Sequence, residues 1–313
     1  MLQAIVLGAA AGGGFPQWNS AGPGCRRARA GDPAAPPRTQ ASLAVSGDGG
    51  RRWALLNASP DLPAQLRATP ALHPKPEGDA VRHSPIAAVV LTGAEVDTVA
   101  GLLSLRERHA FALYAAEPSL AVLAENPIFG ALDPGLVPRR PLPLGEAFEL
   151  WDAGGGGLGI RVEAFPVPGK VPLFRESDGQ DPGRADAGET VGLRLSAGEG
   201  GDPLFFVPGC AAMTDDLRER LRGAACVLFD GTLWRDDEMV RARAGTKTGA
   251  RMGHMSVDGP SGTLAAFAGL GVRRRVLIHI NNTNPVLLAD SPERAAVEAA
   301  GWEVASDGME LRV

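Results

Sequence analysis

Short apolar runs separated by glycine, proline and polar clusters dominate this chain, a pattern that belongs to a sheet-based fold. Residues 2–7 read as a first strand, and a glycine-rich loop follows over 8–31. Residues 40–45 and 52–57 alternate well enough to be neighbouring strands, with Asp48-Gly49-Gly50 as the hairpin turn. A short helix with an acidic start covers 61–69, and the prolines and charges of 73–85 make a solvated connector. Strand 86–91 leads through a turn into a helix over 99–109, and strand 112–115 precedes a helix over 117–125. Further strands are expected at 148–151, 159–166, 190–196, 205–208, 226–230 and 275–279, with a long polar excursion ahead of 190–196. Helices over 261–269 and 293–300 belong to the late part of the chain. Strands come early and β-α-β units late, with no internal repeat and no linker long enough to divide the chain. The pattern predicts one α/β domain over residues 1–313, built on two sheets.

Composition narrows the function classes. The 313 residues are 44% hydrophobic, enough for a large core. A net charge of -5 with scattered arginines leaves no electrostatic footprint for nucleic acid. No apolar run reaches the roughly 18 residues that cross a bilayer, so membrane insertion is not expected. The N-terminus lacks a basic leader and runs straight into glycines, as a first strand does and a signal peptide does not. Three cysteines, Cys25, Cys210 and Cys226, make no paired framework, which points to a reducing, cytoplasmic location.

Candidate chemistry gathers at four positions. Asp97 sits in the turn between strand 86–91 and the following helix, a common place to build a metal or catalytic site. Asp230 closes an apolar strand and is followed by Gly231-Thr232; it points into a ligand crevice or caps its own turn. His254 lies in the glycine-flanked loop Gly253-His254-Met255-Ser256. His279 ends the apolar strand Val276-Leu277-Ile278 and is followed by Asn281-Asn282-Thr283-Asn284, a set of hydrogen-bonding groups suited to lining a pocket. The remaining histidines, His73, His83 and His109, stand in polar or helical contexts and receive no role. Gly8 to Gly14 fails the dinucleotide spacing, and Phe15-Pro16 prevents a following helix. It reads as a free loop beside an active site or as an ordinary glycine-rich turn. Two neutral imidazoles and one carboxylate form the ligand set of non-haem Fe(II), with open positions for oxygen and substrate. The same set suits zinc with a bound water.

The order of strand, acidic turn, strand-end Asp and late strand-end His resembles the metallo-β-lactamase superfamily. Within it the chain is similar, over nearly its full length, to the coenzyme PQQ synthesis protein B family. The resemblance rests on Gly12-Gly13-Gly14-Phe15-Pro16-Gln17-Trp18-Asn19, residues 92–105, Phe165-Pro166-Val167-Pro168-Gly169-Lys170 and Phe229-Asp230-Gly231-Thr232-Leu233-Trp234. It continues through Gly245-Thr246-Lys247-Thr248-Gly249, Gly253-His254-Met255-Ser256 and residues 279–285. The superfamily motif H-x-H-x-D-H falls on Gly93, Glu95, Asp97 and Thr98, and only Asp97 matches. The PQQ family keeps an Asp-His pair there, so Thr98 removes one expected imidazole. The family's C-x-C-x-x-C cluster falls on Ser20, Gly22 and Cys25, and one thiolate cannot hold a tetrahedral zinc, so no structural zinc is expected.

The resemblance implies a four-layer αββα sandwich of two mixed sheets. It implies a part in making pyrroloquinoline quinone (PQQ), beside other proteins of that pathway, from a peptide-derived glutamate–tyrosine precursor. The implied chemistry is that of a non-haem iron oxygenase: O2-dependent hydroxylation of the tyrosine ring at Fe(II) held by Asp97, His254 and His279. Asp230 would be a fourth ligand or the group that orients an imidazole. Lys170, Asn281 and Asn282 are candidates to hold a polar, carboxylate-rich substrate. The alternatives are a non-catalytic carrier of PQQ or its precursor toward the periplasm, and a zinc hydrolase, which needs a metal-bound water.

Overall fold

Alternation along the strands decides the layering, because successive side chains of a strand point to opposite faces. The computed structural model describes residues 1–75, 78–175 and 188–313. Its first sheet contains β1 (Gln3–Gly8), β2 (Ser42–Ser46), β3 (Trp53–Leu56), β4 (Ile86–Val90), β5 (Ala112–Ala115) and β6 (Arg139–Pro141). The second contains β7 (Ala147–Trp151), β8 (Gly157–Pro166), β9 (Val191–Ala197), β10 (Leu204–Val207), β11 (Cys226–Asp230), β12 (Arg274–Ile278) and β13 (Glu303–Val304). A last strand, β14 (Glu310–Arg312), returns to the edge of the first sheet.

Both sheets are mixed. The first runs β14-β1-β2-β3-β4-β5-β6, antiparallel up to β3 and parallel from β3 to β6. The second runs β13-β12-β11-β10-β9-β8-β7, parallel from β13 to β10 and antiparallel beyond. Three apolar clusters separate four layers. Val6, Leu43, Val45, Val162, Leu193, Phe206, Leu228 and Ile278 meet between the sheets. Leu55, Val89, Leu102 and Leu113 join the first sheet to its outer helices, and Val227, Phe229, Leu277 and Phe267 do so for the second. The αββα sandwich of two mixed sheets is therefore the observed fold, and the near-continuous apolar runs Leu204–Val207, 226–229 and 276–278 of β10 to β12 reflect cover on both of their faces.

Several element boundaries differ from the sequence reading. The glycine-rich stretch 8–31 contains a helix, Pro23–Arg29, which starts on a proline suited to a first helical turn. A helix at Asp215–Leu221, capped by the Thr214 hydroxyl, and the short strands β6, β13 and β14 carry too little periodicity to be read. Helix 261–269 shrinks to Thr263–Ala266. The polar excursion ahead of β9 lies largely at 176–187, outside the described residues.

The helix expected at 99–109 begins earlier and is tighter, with an α-turn at Val96–Val99 followed by a 3-10 helix at Ala100–Leu105. Gly101 shows why. A Cβ there would lie 2.1 Å from the Ser59 carbonyl oxygen, and the Gly101 amide donates to the Ala58 carbonyl at 2.8 Å. The Ala58 amide in turn donates to the Thr98 carbonyl at 2.8 Å. The turn carrying Asp97 is thus pressed directly onto the backbone leaving β3. Gly101→Ala is expected to destabilise the fold by about 1–3 kcal/mol, or a melting midpoint lowered by several degrees. An unchanged midpoint in a thermal unfolding scan would contradict this close approach.

Candidate metal centre

Parallel strands deliver three of the four candidate groups from their C-terminal ends, the usual position of a ligand crevice in such sheets. Asp97 follows β4, Asp230 ends β11 and His279 follows β12. His254 comes from the loop after a one-turn helix, Gly249–Met252, which ends on Gly253 in the left-handed conformation. His279 is itself left-handed, at φ 57°, uncommon for a residue with a Cβ. That bend turns its ring out of the strand direction. The next amide, of Ile280, donates to Ala9 at 3.0 Å, and Ala11 donates back to Ile280 at 2.9 Å. The glycine-rich loop is therefore stapled beside His279, and Gly12 lies against Asp97: a Cβ there would stand 3.5 Å from Asp97 Oδ2.

Three of the four groups cluster together, and the fourth, Asp97, touches them through His279. Asp230, His254 and His279 each offer a ligand atom within 4.8 Å of the others. The two imidazoles stack, with ring centroids 5.2 Å apart. Asp97 joins through Oδ2, which is 3.0 Å from His279 Nε2. The two carboxylates differ sharply in what they already do. Asp230 Oδ1 accepts from the Thr232 amide at 2.9 Å and hydroxyl at 2.6 Å. Its Oδ2 accepts from the Cys210 amide at 2.8 Å and sits 2.7 Å from His254 Nδ1. A carboxylate has about four acceptor positions, and all four are filled. Side-chain exposure agrees: Asp230 has 0%, while Asp97 keeps 16%, His254 16% and His279 15%. Proximity alone would group Asp230 with the imidazoles, but acceptor occupancy and exposure favour Asp97 as the carboxylate open to a ligand.

The residues present fit a divalent metal. Two atoms bonded to one metal at right angles, each at about 2.1 Å, lie about 3 Å apart, and the Asp97 Oδ2–His279 Nε2 pair has that separation. Electrostatics points the same way. Burial works to raise the Asp97 carboxyl, but the hydrogen bond and charge of His279, with the charge of His254, hold it below the ordinary aspartate value. For Asp230, burial is likewise outweighed by the charge and hydrogen bond of His254. Burial pushes His279 down, and the hydrogen bond and charge of Asp97, with the charges of Asp230 and Glu95, bring it above its usual value. Both acids are thus kept ionised by the imidazoles beside them, and a metal bound here would displace the imidazole protons. Cys210 is no nucleophile: burial, then the Asp230 charge, pushes its thiol up to about 12.

The remaining sequence candidates lie around this edge. Lys170 Nζ is 3.0 Å from Glu95 Oε1, and its stem packs beneath Gly253. Asn281 Nδ2 donates to the Thr283 hydroxyl at 2.6 Å. Asn282 is buried, donates to Gln17 Oε1 and is met by the Cys25 thiol at 3.6 Å. Thr98 donates its hydroxyl to the carbonyls of Glu95 at 2.7 Å and Gly93 at 3.2 Å. Thr232 carried no signal of its own in the sequence, yet its hydroxyl touches Asp230, His254 and His279. Only the Asp-x-Thr spacing, an Asx turn in the making, could have pointed to it.

A family model described as a beta-lactamase superfamily domain matches residues 52–280, so sandwich and metal edge together define a protein of that class. "Coenzyme PQQ synthesis protein B" of Gluconacetobacter diazotrophicus is 61% identical over 312 residues, covering 99% of each chain. The protein of the same name from Xanthomonas campestris pv. campestris is 55% identical over 310 residues, again covering 99% of each. The crystal structure of Zn(2+)-bound PqqB from Methylobacterium extorquens matches with a TM-score of 0.93 at 49% identity, covering 99% of this chain and 100% of that one. The chain belongs to the coenzyme PQQ synthesis protein B family.

One acid beside the site makes stability depend on pH. Glu238 Oε1 accepts from Thr283 at 2.5 Å and Oε2 from the Trp234 amide at 2.6 Å, and burial pushes its pKa up to about 7 from 4.5. Because folding favours the protonated form, the contribution of Glu238 to stability is fully present below pH 4.5 and is lost as pH climbs to about 7. Glu238→Gln cannot ionise. Relative to that variant, the wild type is expected to lose about 2–3 kcal/mol between pH 5 and 8 in denaturant titrations. A difference that does not change with pH would contradict the burial.

Proposed function

We propose that residues 1–313 act as one domain in PQQ biosynthesis in the cytoplasm, hydroxylating the tyrosine ring of a glutamate–tyrosine precursor with O2 at Fe(II) held by Asp97, His254 and His279. Family membership supports the pathway. The observation that carries the chemistry is the open carboxylate of Asp97 set 3.0 Å from His279 Nε2, with the His254 ring stacked on that of His279. When bound, Fe(II) in a set of two imidazoles and one carboxylate keeps positions free for oxygen and substrate.

The chain's own residues have separable parts in this reading. Asp230 orients His254 through Nδ1, as carboxylates commonly do behind metal-bound histidines. Gly12, without a side chain, leaves the approach to Asp97 open. Lys170, with its charge partly answered by Glu95, would hold an acidic end of the precursor, and Asn281 and Asn282 would join it by releasing their amide protons from Thr283 and Gln17.

A second reading, a non-catalytic carrier of PQQ or its precursor toward the periplasm, has one observation in its favour. Thr98, whose hydroxyl is bound to the Gly93 and Glu95 carbonyls, leaves the site an imidazole short of its family's pattern. Among the described residues no helix is long and apolar enough to cross a membrane, so a carrier would need a separate conduit. Zinc is the rival occupant, since the Methylobacterium extorquens relative carries it.

Anaerobic loading with Fe(II) or Zn(II), followed by metal analysis and an O2-uptake assay on a glutamate–tyrosine dipeptide, separates these readings. One iron per chain and iron-dependent O2 uptake are expected, with Asp97→Ala or His279→Ala weakening metal binding by roughly tenfold or more. Stoichiometric zinc with no O2 uptake, together with tight PQQ binding by the metal-free protein, would favour the carrier and sink the oxygenase.

A further inference from the structure

Thr232 lies at the centre of the site, and its hydroxyl has more neighbours than it has protons. Oγ1 is 2.6 Å from Asp230 Oδ1, 2.8 Å from His279 Nδ1, 2.9 Å from the His279 carbonyl oxygen and 3.1 Å from His254 Nδ1. We propose that Thr232 is the positioning residue that selects the ligating nitrogen of His279 and, with Asp230, of His254, so that both imidazoles turn Nε2 toward the metal. This rests on the metal-centre reading above and adds the device that sets it.

A hydroxyl has one proton to give and two lone pairs. The Asp230 carboxylate and the His279 carbonyl can only accept, and Asp230 Oδ1 is the shorter, charged partner. The Thr232 proton is directed there, leaving lone pairs toward the imidazoles. His279 Nδ1 therefore has to be the donor in its 2.8 Å contact with Oγ1 and must carry its ring's proton. His254 Nδ1 faces an acceptor-only oxygen, Asp230 Oδ2 at 2.7 Å, with the Thr232 lone pair behind it at 3.1 Å, so it is a donor too.

Each neutral imidazole has one N–H, so both lone pairs fall on Nε2. At His279 the consequence is direct. Nε2 is left to face Asp97 Oδ2 at 3.0 Å, and a bound cation would take the place of the proton shared in that contact. Thr232 also braces the bend that aims this ring, because Oγ1 accepts from Nδ1 of a residue held at φ 57°. The Asn281 amide, which donates to the Thr232 carbonyl at 3.0 Å, fixes the two segments against each other from the backbone side.

Co(II) provides the readout, since histidines bound through Nε2 keep an exchangeable Nδ1–H whose proton resonance is shifted far from the diamagnetic range. The Co(II)-loaded wild type is expected to show two such signals, protected from solvent exchange. Thr232→Val, which keeps the shape and removes the hydroxyl, is expected to lose protection of the His279 signal and to bind Co(II) roughly 10- to 100-fold more weakly. Thr232→Ser is expected to restore both. A wild-type spectrum showing ligation through Nδ1 would overturn the proposal while leaving the metal centre standing, whatever the variants do. Two protected signals and unchanged Co(II) affinity in Thr232→Val would also overturn it. Failure of the wild type to bind Co(II) would bring down the metal reading, and this proposal with it.

Discussion

A carboxylate sealed from water at the end of β11 constrains everything at this edge of the sandwich. Asp230 is ionised, and an ionised group without water must be met by donors on every side or it undermines the fold. The chain meets it with the Cys210 amide, the Thr232 amide and hydroxyl, and His254 Nδ1. Those four partners come from three separate segments, so satisfying one carboxylate fixes the 208–212 loop, the turn after β11 and the His254 loop relative to one another. The metal-binding groups are set by this internal requirement before any ligand arrives.

The second half of the centre comes from the other sheet. Asp97 rides on a turn pressed against the backbone after β3, with no room at Gly101 for a side chain. His279 bends away from β12 and is pinned through Ile280 to the loop after β1. The Asp97–His279 contact is therefore a joint between sheets, and a cation held there would tie the two halves of the sandwich together. Such a design places the reactive position where neither sheet alone could build it, and leaves the opening lined by groups with 15–16% exposure rather than by fully buried ones.

Much of this was legible because strand ends announce themselves. Asp230 and His279 each terminate an apolar run with a polar residue, Asp97 lies in the turn after one, and β4, β11 and β12 appear within one residue of where the pattern put them. His254 had no such frame and stood out only by its glycine-flanked loop, Gly253-His254-Met255-Ser256. What stayed hidden depends on contacts between distant segments. The polar tail after His279 read as pocket lining, yet Asn284 donates to the Gly231 carbonyl at 2.8 Å and caps the Pro285–Leu287 turn. The division of labour between the two aspartates was left open, with Asp230 a fourth ligand or an orienting group, because it depends on which of their acceptor positions the fold has already filled. Thr232 is the sharpest case: an ordinary residue in sequence, placed by an Asx turn at the meeting point of three functional side chains.

Which atoms bind the metal decides how this edge of the sandwich works. An anomalous difference map at the iron edge, from crystals of the protein loaded and frozen anaerobically, reads this directly. The expected result is a single peak bonded to an Asp97 oxygen and to Nε2 of both His254 and His279, with Asp230 still hydrogen-bonded to His254 Nδ1. A peak bonded to Asp230 instead of Asp97, or lying away from these side chains, would contradict it.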